Sequence, residues 1–472
     1  MKNYEIDMTT GPLTGKIIRF SLPLVLQGVL QLLYNAADLI VVGNFGSENS
    51  LGGVSATGAL INLIVNLFMG LSVGTSVVVA SAIGAGNKER ASRAAHTSVT
   101  ISLIAGVGLG IFGFFMSRTF LSLMGTPEDV IDLSVTYMKI YFIGMPVNLL
   151  FNFGASIMRA TGDTRRPMYF LIFSGIINVL LNLLLVIVFK LDIAGVAIAT
   201  VASQLISAAL VMNCLLKTDN CCKIFLSRLR IHKDELLGII KIGLPAGVQS
   251  SIFSASNVII QSGINSFGSV SVNANAAAAS IEGFCYTAMS AIYNAALTFT
   301  SQNMGAEKYR RVNRVAIRCL LLCAAVGITL GTGTFLLSEP LIRIYNTSPE
   351  VVAIGRMRLS VISTTSFICG LMDVMVGIIR GMGHSLATMI VTIIGVCGFR
   401  IVWIVTVFAN YQRIDWLYEL FGDYDKLWVL YVSYPLSWTA TFLIHTVSFT
   451  LLRRKYPKND VQREKNTGIL PI

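Results

Sequence analysis

The sequence predicts an all-α integral membrane protein with twelve transmembrane helices in two parallel-related six-helix lobes. Three observations carry this reading: a depletion of charge, apolar runs that recur at membrane-spanning length, and a duplication of the first half in the second. Of 472 residues, 54% are hydrophobic and 13% charged, against about a quarter charged in soluble domains. A helix needs about 20 residues to cross a hydrocarbon core about 30 Å thick, and runs of that size recur from end to end. A soluble fold is excluded on both counts.

The first run, 17–42, follows a polar tail with Lys2, Glu5, Asp7 and Lys16 and lacks a small-residue cleavage site after a short apolar core. It is therefore read as a retained span and not a signal peptide. Further runs lie at 53–82, 97–117, 136–158, 168–189 and 193–215, and, beyond a basic stretch at 217–238, at 239–265, 275–302, 316–338, 354–379, 386–409 and 428–452. The expected organisation is an N-terminal lobe over 1–216, a cytoplasmic linker over 217–238 and a C-terminal lobe with a short cytoplasmic tail over 239–472.

Cytoplasmic connections carry the Lys/Arg excess. Alternate connections hold Lys88/Arg90/Arg93, Arg159/Arg165/Arg166, Lys217/Lys223/Arg228/Arg230/Lys233 and Lys308/Arg310/Arg311/Arg314, with Arg453/Arg454/Lys455 in the tail. The intervening ones are sparse in basic residues or acid-rich, as at Glu128/Asp129/Asp132 and Asp415/Glu419/Asp423/Asp425. Arg356 and Arg358 are exceptions, placed at an outer helix end. The expected location is the cell membrane, multi-pass, with both termini cytoplasmic. This topology accounts for the net charge of +12 without a nucleic-acid partner, which would need a basic groove interleaved with aromatics.

The duplication is visible in Ile17-Ile18-Arg19-Phe20-Ser21-Leu22-Pro23, echoed by Ile239-Ile240-Lys241-Ile242-Gly243-Leu244-Pro245 at an offset of 222 residues. Gln27 then matches Gln249, Asn35 matches Asn257, and, after a one-residue gap, Gly84-Ala85 matches Gly305-Ala306 and Arg159-Ala160-Thr161-Gly162 matches Arg380-Gly381-Met382-Gly383. With an even number of spans per half, the halves enter from the same face and are related by an axis along the membrane normal, with the cavity between them.

Polar residues within the spans mark candidate sites. Gln27, Gln31, Tyr34 and Asp38 stack on one face of the first span, with Asn35 alongside. An ionised Asp near the centre of a span costs about 2.5–3.5 kcal/mol, so Asp38 faces the bundle interior or water. The fifth span carries Ser174, Asn178 and Asn182, and the sixth Thr200, Ser203, Gln204 and Ser207. With Asp38 these supply the oxygen ligands a hard cation such as Na+ prefers. The competing reading is that Asn and Thr only tie helices together.

The second half differs. Asp38 aligns with Ile260, and the acids are instead Glu282 and Asp373, the latter opposite Asn152 in the repeat. Arg400, beside the counterpart of Asn178, is the one basic residue placed well inside a span. Since buried charges are usually paired, an Asp373–Arg400 pair is expected. Asn152, Glu282, Asp373 and Arg400, with the polar residues of the first span, form the expected substrate cavity or gate. Pro23 and Pro245, early in equivalent spans, are hinge candidates because proline removes a helical hydrogen bond; a static kink is the competing reading.

Chemistry of other kinds finds little support. The cysteines Cys214, Cys221, Cys222, Cys285, Cys319, Cys323, Cys369 and Cys397 match no zinc or redox spacing. His96, His232, His384 and His445 are scattered, and the glycine groups Gly70/Gly74 and Gly106/Gly108/Gly110/Gly113 lack the strand–loop–helix context of a phosphate loop. No cofactor and no obligate protein partner is expected, and an integral-membrane enzyme is disfavoured.

The chain resembles the multidrug and toxic compound extrusion family, closest to its DinF-like bacterial branch. The resemblance is carried by Gly11-Pro12-Leu13, Tyr34-Asn35-Ala36-Ala37-Asp38, Gly84-Ala85-Gly86-Asn87, Met158-Arg159-Ala160-Thr161-Gly162-Asp163 and Gln302-Asn303-Met304-Gly305-Ala306. It implies a V-shaped pair of lobes that expel mostly cationic, amphipathic compounds in exchange for Na+ or H+. It also implies a coupling site at Asp38, Asn178, Asn182 and Thr200, and flexing of the first span at Pro23. Where that branch usually has an acid, this chain has Asn182, which leaves the coupling ion open. The alternative is a lipid-linked sugar or lipid flippase of the same superfamily, whose anionic headgroup Arg400 would suit.

Overall fold

A computed structural model describes residues 4–47, 50–410, 412–413 and 425–460. Asp415, Glu419 and Asp423 of the acid-rich connection lie outside the described residues, as does the end of the tail. Among the described residues the structure is helical, without strands. The helices are α1 (Leu13–Phe45), α2 (Ser50–Gly84), α3 (Lys88–Leu123), α4 (Glu128–Ile143), α5 (Met145–Ala160), α6 (Arg165–Val188) and α7 (Asp192–Lys217) in the first lobe. The second lobe holds α8 (Lys233–Asn265), α9 (Ser269–Gly305), α10 (Tyr309–Leu336), the short α11 (Ser338–Arg343), α12 (Pro349–Gly381), α13 (Ser385–Phe408) and α14 (Lys426–Arg453).

Ten of these helices are long and apolar enough to cross a membrane. The run expected as one span over 136–158 is instead a bent pair, α4 and α5, inclined at 49°. Pro146 stands in the first turn of α5, directly after the break at Gly144, where a proline has no N–H to continue the ladder from α4. The equivalent stretch of α12 has no proline and is continuous. The remaining span, α9, falls short on apolarity because it is rich in Ala, Ser, Asn and Thr, and it is the buried centre of its lobe. Small residues let neighbouring helices approach closely where lipid gives no hydrophobic drive.

Local chemistry repeats between the lobes. Gly162 and Gly383 hold the same tight turn with φ of +92° and +90°, conformations open to glycine at no steric cost. Pro23 and Pro245 lie inside the continuous helices α1 and α8. In the turn each proline disturbs, a hydroxyl from the neighbouring helix end bonds a carbonyl: Thr164 to Phe20 at 2.9 Å and Ser385 to Ile242 at 2.7 Å. Hydroxyls re-satisfying a proline-broken helix are a usual remedy in membranes.

The lobes meet along the halves of α1, α2, α8 and α9 nearest the basic connections. There α2 and α8 touch backbone to backbone: a Cβ on Gly70, Gly74, Gly243 or Gly247 would strike the facing main chain. The repeat-related Gly84 and Gly305 lie in the same way against Gln302 and Ser81. The N-terminal segment straps this face. Met8 is fully buried, its carbonyl accepts from Asn303 at 3.1 Å and from Arg311 at 3.1 Å, and the Thr9 carbonyl accepts from Lys308 at 2.9 Å. Burial pushes the Asp7 carboxyl up, but hydrogen bonds from Thr10 and Thr9 and the charge of Lys16 outweigh it and hold the group at about 2. The C-terminal end lies on the same face, with the Tyr456 hydroxyl 3.2 Å from His384.

Toward the other face, Gln31 and Asn35 of α1 and Asn257 of α8 are exposed in mid-span. Polar side chains at that depth belong on a watered surface, so these helices border a cleft between the lobes.

Candidate functional site

Asp38 lies in the C-terminal half of α1, partly buried between α6 and α7. Its carboxylate accepts a short hydrogen bond from Asn182 Nδ2 and lies 3.5 Å from the Thr200 hydroxyl. Asn182 Nδ2 also reaches Asn178 Oδ1 at 3.3 Å. Asn178 is 5% and Asn182 0% exposed. Asn182 Oδ1 is buried without a partner, so the pocket has acceptor oxygen to spare. Among the described residues no Lys or Arg forms an ion pair with Asp38. The four residues chosen from the sequence thus come together in the first lobe.

The rest of the α1 stripe divides. Tyr34 lies against Gly175, where a Cβ would collide with its ring, and its hydroxyl is 3.4 Å from the carbonyls of Leu171 and Ile172. It joins α1 to α6. Gln31 and Asn35 face the cleft, and Gln27 is half-buried with its Oε1 unpartnered. Asn152 bonds within its own helix, to Asn148.

In the second lobe the expected Asp373–Arg400 pair is not formed. Asp373 lies beside the Tyr286 phenol. Arg400, 1% exposed, donates from Nε to Ser437 at 3.2 Å and from Nη1 to Asn257 at 3.2 Å. Its guanidinium lies 4.2 Å from the ring centre of Tyr434, 5.5 Å from Phe253 and 5.9 Å from Trp438. The physical reason is competition: aromatic faces and neutral acceptors on α8 and α14 take up the guanidinium, and the acid lies beside a phenol.

Glu282 is paired instead with Arg358, through Nε at 2.9 Å and Nη2 at 2.7 Å, and Arg358 also bonds Asn275. Arg358 is 6% exposed, so it does not belong at a helix end. Because α12 starts at Pro349 and not at 354, Arg358 enters the helix by more than two turns at 3.6 residues each. A second unforeseen basic residue is Arg380, 5% exposed, which bonds Tyr293 and Gln249, each at 2.8 Å. Both were concealed by an assumption that Lys and Arg mark loops. A Glu282 lacking any other partner was the one available signal.

The two prolines, Asp38, Asn178 and Asn182 lie inside the stretches that a family model matches, and Thr200 lies outside them. The MatE family model matches residues 23–184 and again 245–406. The Probable multidrug resistance protein YpnP of Bacillus subtilis (strain 168) is 27% identical over 84% of this chain and 88% of its own length. A crystal structure of MATE in the straight conformation superposes with a TM-score of 0.87 at 20% identity, covering 96% of this chain and 99% of that one. A MOP superfamily transporter from Pyrococcus furiosus Vc1, described as having a binding pocket of reverse polarity suggesting a different function, gives a TM-score of 0.85 at 20% identity, with 96% and 99% covered. A family model that matches in both halves, on a helical membrane fold shared with solved transporters, identifies this chain as a member of the MatE family of multidrug and toxic compound extrusion transporters, and not an enzyme.

Proposed function

We propose that this transporter is an antiporter that exports small amphipathic organic molecules by alternating access, with Asp38 as the seat of the coupling cation, Na+ or H+. The observation that carries the reading is a carboxylate inside the first lobe that lacks a basic partner among the described residues and is backed by buried amide oxygens, one of them unpartnered. A Na+ would find oxygens from Asp38, Asn178, Asn182 and Thr200, the hard donors such ions prefer. A proton would neutralise the same carboxylate. Either cation moves the protein between states only through its different affinity for them. The basic connections lie on the face where the lobes touch, which the positive-inside rule makes cytoplasmic. Both termini are then cytoplasmic and the cleft opens outward, with Pro23 and Pro245 as flexing points in α1 and α8.

The test is export of a fluorescent amphiphile from proteoliposomes under imposed Na+ or H+ gradients. Asp38→Asn and Asp38→Ala are expected to reduce gradient-driven export at least a hundredfold while the protein remains monodisperse. Export with unchanged ion dependence in both variants would sink the assignment.

A further inference from the structure

The buried cation of the second lobe has more donors than partners. A guanidinium presents five N–H groups in a planar fork, yet only Nε and Nη1 of Arg400 are engaged, and Nη2 is buried with no partner. The two acids placed mid-span in α9 and α12 lie against other groups, Glu282 against Arg358 and Asp373 against Tyr286. Taking a guanidinium out of water without a counter-charge is expensive, so a site that keeps one is built to receive the counter-charge from outside.

The surroundings say what shape should bring it. Tyr434, Phe253 and Trp438 put three aromatic faces around the guanidinium, which suits a flat apolar body beside an anionic group. Phe253 and Tyr434 are half-buried and Asn257 is exposed, so the cage opens on the cleft side of α8. Arg400 is also flanked by two π-helical stretches, Ile393–Gly398 and Ile404–Phe408, a distortion that recurs at functional sites. In the repeat, the same region of the first lobe holds Asp38 and its amides. One lobe therefore encloses an acid and the other a cation.

We infer that the Arg400 cage binds the anionic group of an aromatic amphiphile, a carboxylate, sulfonate or phosphate held on the guanidinium fork. This deepens the transport reading and rests on it, replacing the cationic substrates that family resemblance implies with anionic ones. Arg donates two parallel hydrogen bonds to an oxyanion; a cationic amphiphile would meet the unbalanced charge of Arg400.

Equilibrium dialysis on the full-length protein in phosphatidylcholine nanodiscs, with naphthalene-2-sulfonate and its isosteric trimethylammonium analogue as probes, tests this. The wild type is expected to bind the sulfonate at least tenfold more tightly than the ammonium. Arg400→Gln should abolish that preference, and Arg400→Lys should retain part of it. A second arm replaces a third of the lipid with phosphatidylglycerol. Displacement of the sulfonate in the wild type alone makes a lipid headgroup the anion that Arg400 holds, and no displacement makes it a soluble substrate. Equal wild-type binding of the two probes, or sulfonate binding unchanged in both Arg400 variants, overturns the proposal; the wild-type comparison stands even if a variant fails to fold. No ion gradient is used, so failure here leaves coupling at Asp38 standing, and failure of gradient-driven export leaves this site standing.

Discussion

At the scale of single residues, the second lobe is governed by which charges found partners. Arg358 and Glu282 form a bidentate pair with side-chain exposures of 7% and 17%. Breaking such a pair from one side leaves an uncompensated charge and costs about 3–5 kcal/mol. Arg358→Ala and Glu282→Ala are each expected to lower the melting temperature in detergent sharply, and the double variant should recover part of the loss. Arg400 and Asp373 should behave in the opposite way. Since they do not touch, Asp373→Arg combined with Arg400→Asp is expected to be no better than either single change in a transport assay, and rescue would show a contact in another state of the cycle. Helical spacing put Asp38, Asn182 and Thr200 each on an inward face, and the fold brings the three side chains together. Residue-level reading from sequence failed for Arg358, 76 positions from Glu282, because spacing within one helix carries no information about which helix lies opposite.

At the scale of elements, helix lengths and breaks were legible where hydropathy and proline act alone. The spans lengthened by several residues at their ends, where capping and loop chemistry take over; Asn87, for example, caps α3 by accepting from Arg90 N–H at 2.9 Å. The bend between α4 and α5 was not foreseen, although Pro146 was in view, because a proline early in a helix and one inside it read alike until the break is located. The hydroxyl ties beside Pro23 and Pro245 give a direct test of how the two helices are held. A typical hydrogen bond contributes about 1 kcal/mol net, so Thr164→Val and Ser385→Ala should each cost about that much in unfolding free energy. If the ties restrain flexing, the same variants should raise hydrogen exchange in the turn around 19–24 or 241–246. Unchanged exchange in both would mean the prolines sit in rigid surroundings.

At the scale of the whole molecule, the repeat made the two-lobed architecture legible, and what it could not convey was the seam between the lobes. The strap of residues 4–12 was read as a polar tail, because its buried positions, Ile6 and Met8, are too few to show a period. Its Asp7 offers a pH test. A carboxyl held at about 2, against about 3.9 in an unfolded chain, contributes stability that is complete above about pH 4 and lost as pH falls through about 2. Hydrogen exchange in 4–12 should stay slow down to about pH 4 and accelerate below it, whereas Asp7→Asn should show no such step.

The contact of Gly70, Gly74, Gly84 and Gly305 with facing main chain also bears on electrical tightness. A membrane that stores a gradient is discharged by any continuous thread of water, and a seam of backbone pressed on backbone leaves no room for one. Each added methyl would wedge that seam. Gly84→Ala and Gly305→Ala are therefore expected to raise the passive proton or sodium leak of proteoliposomes before they unfold the protein, so these glycines serve as insulation for the energy the transporter spends.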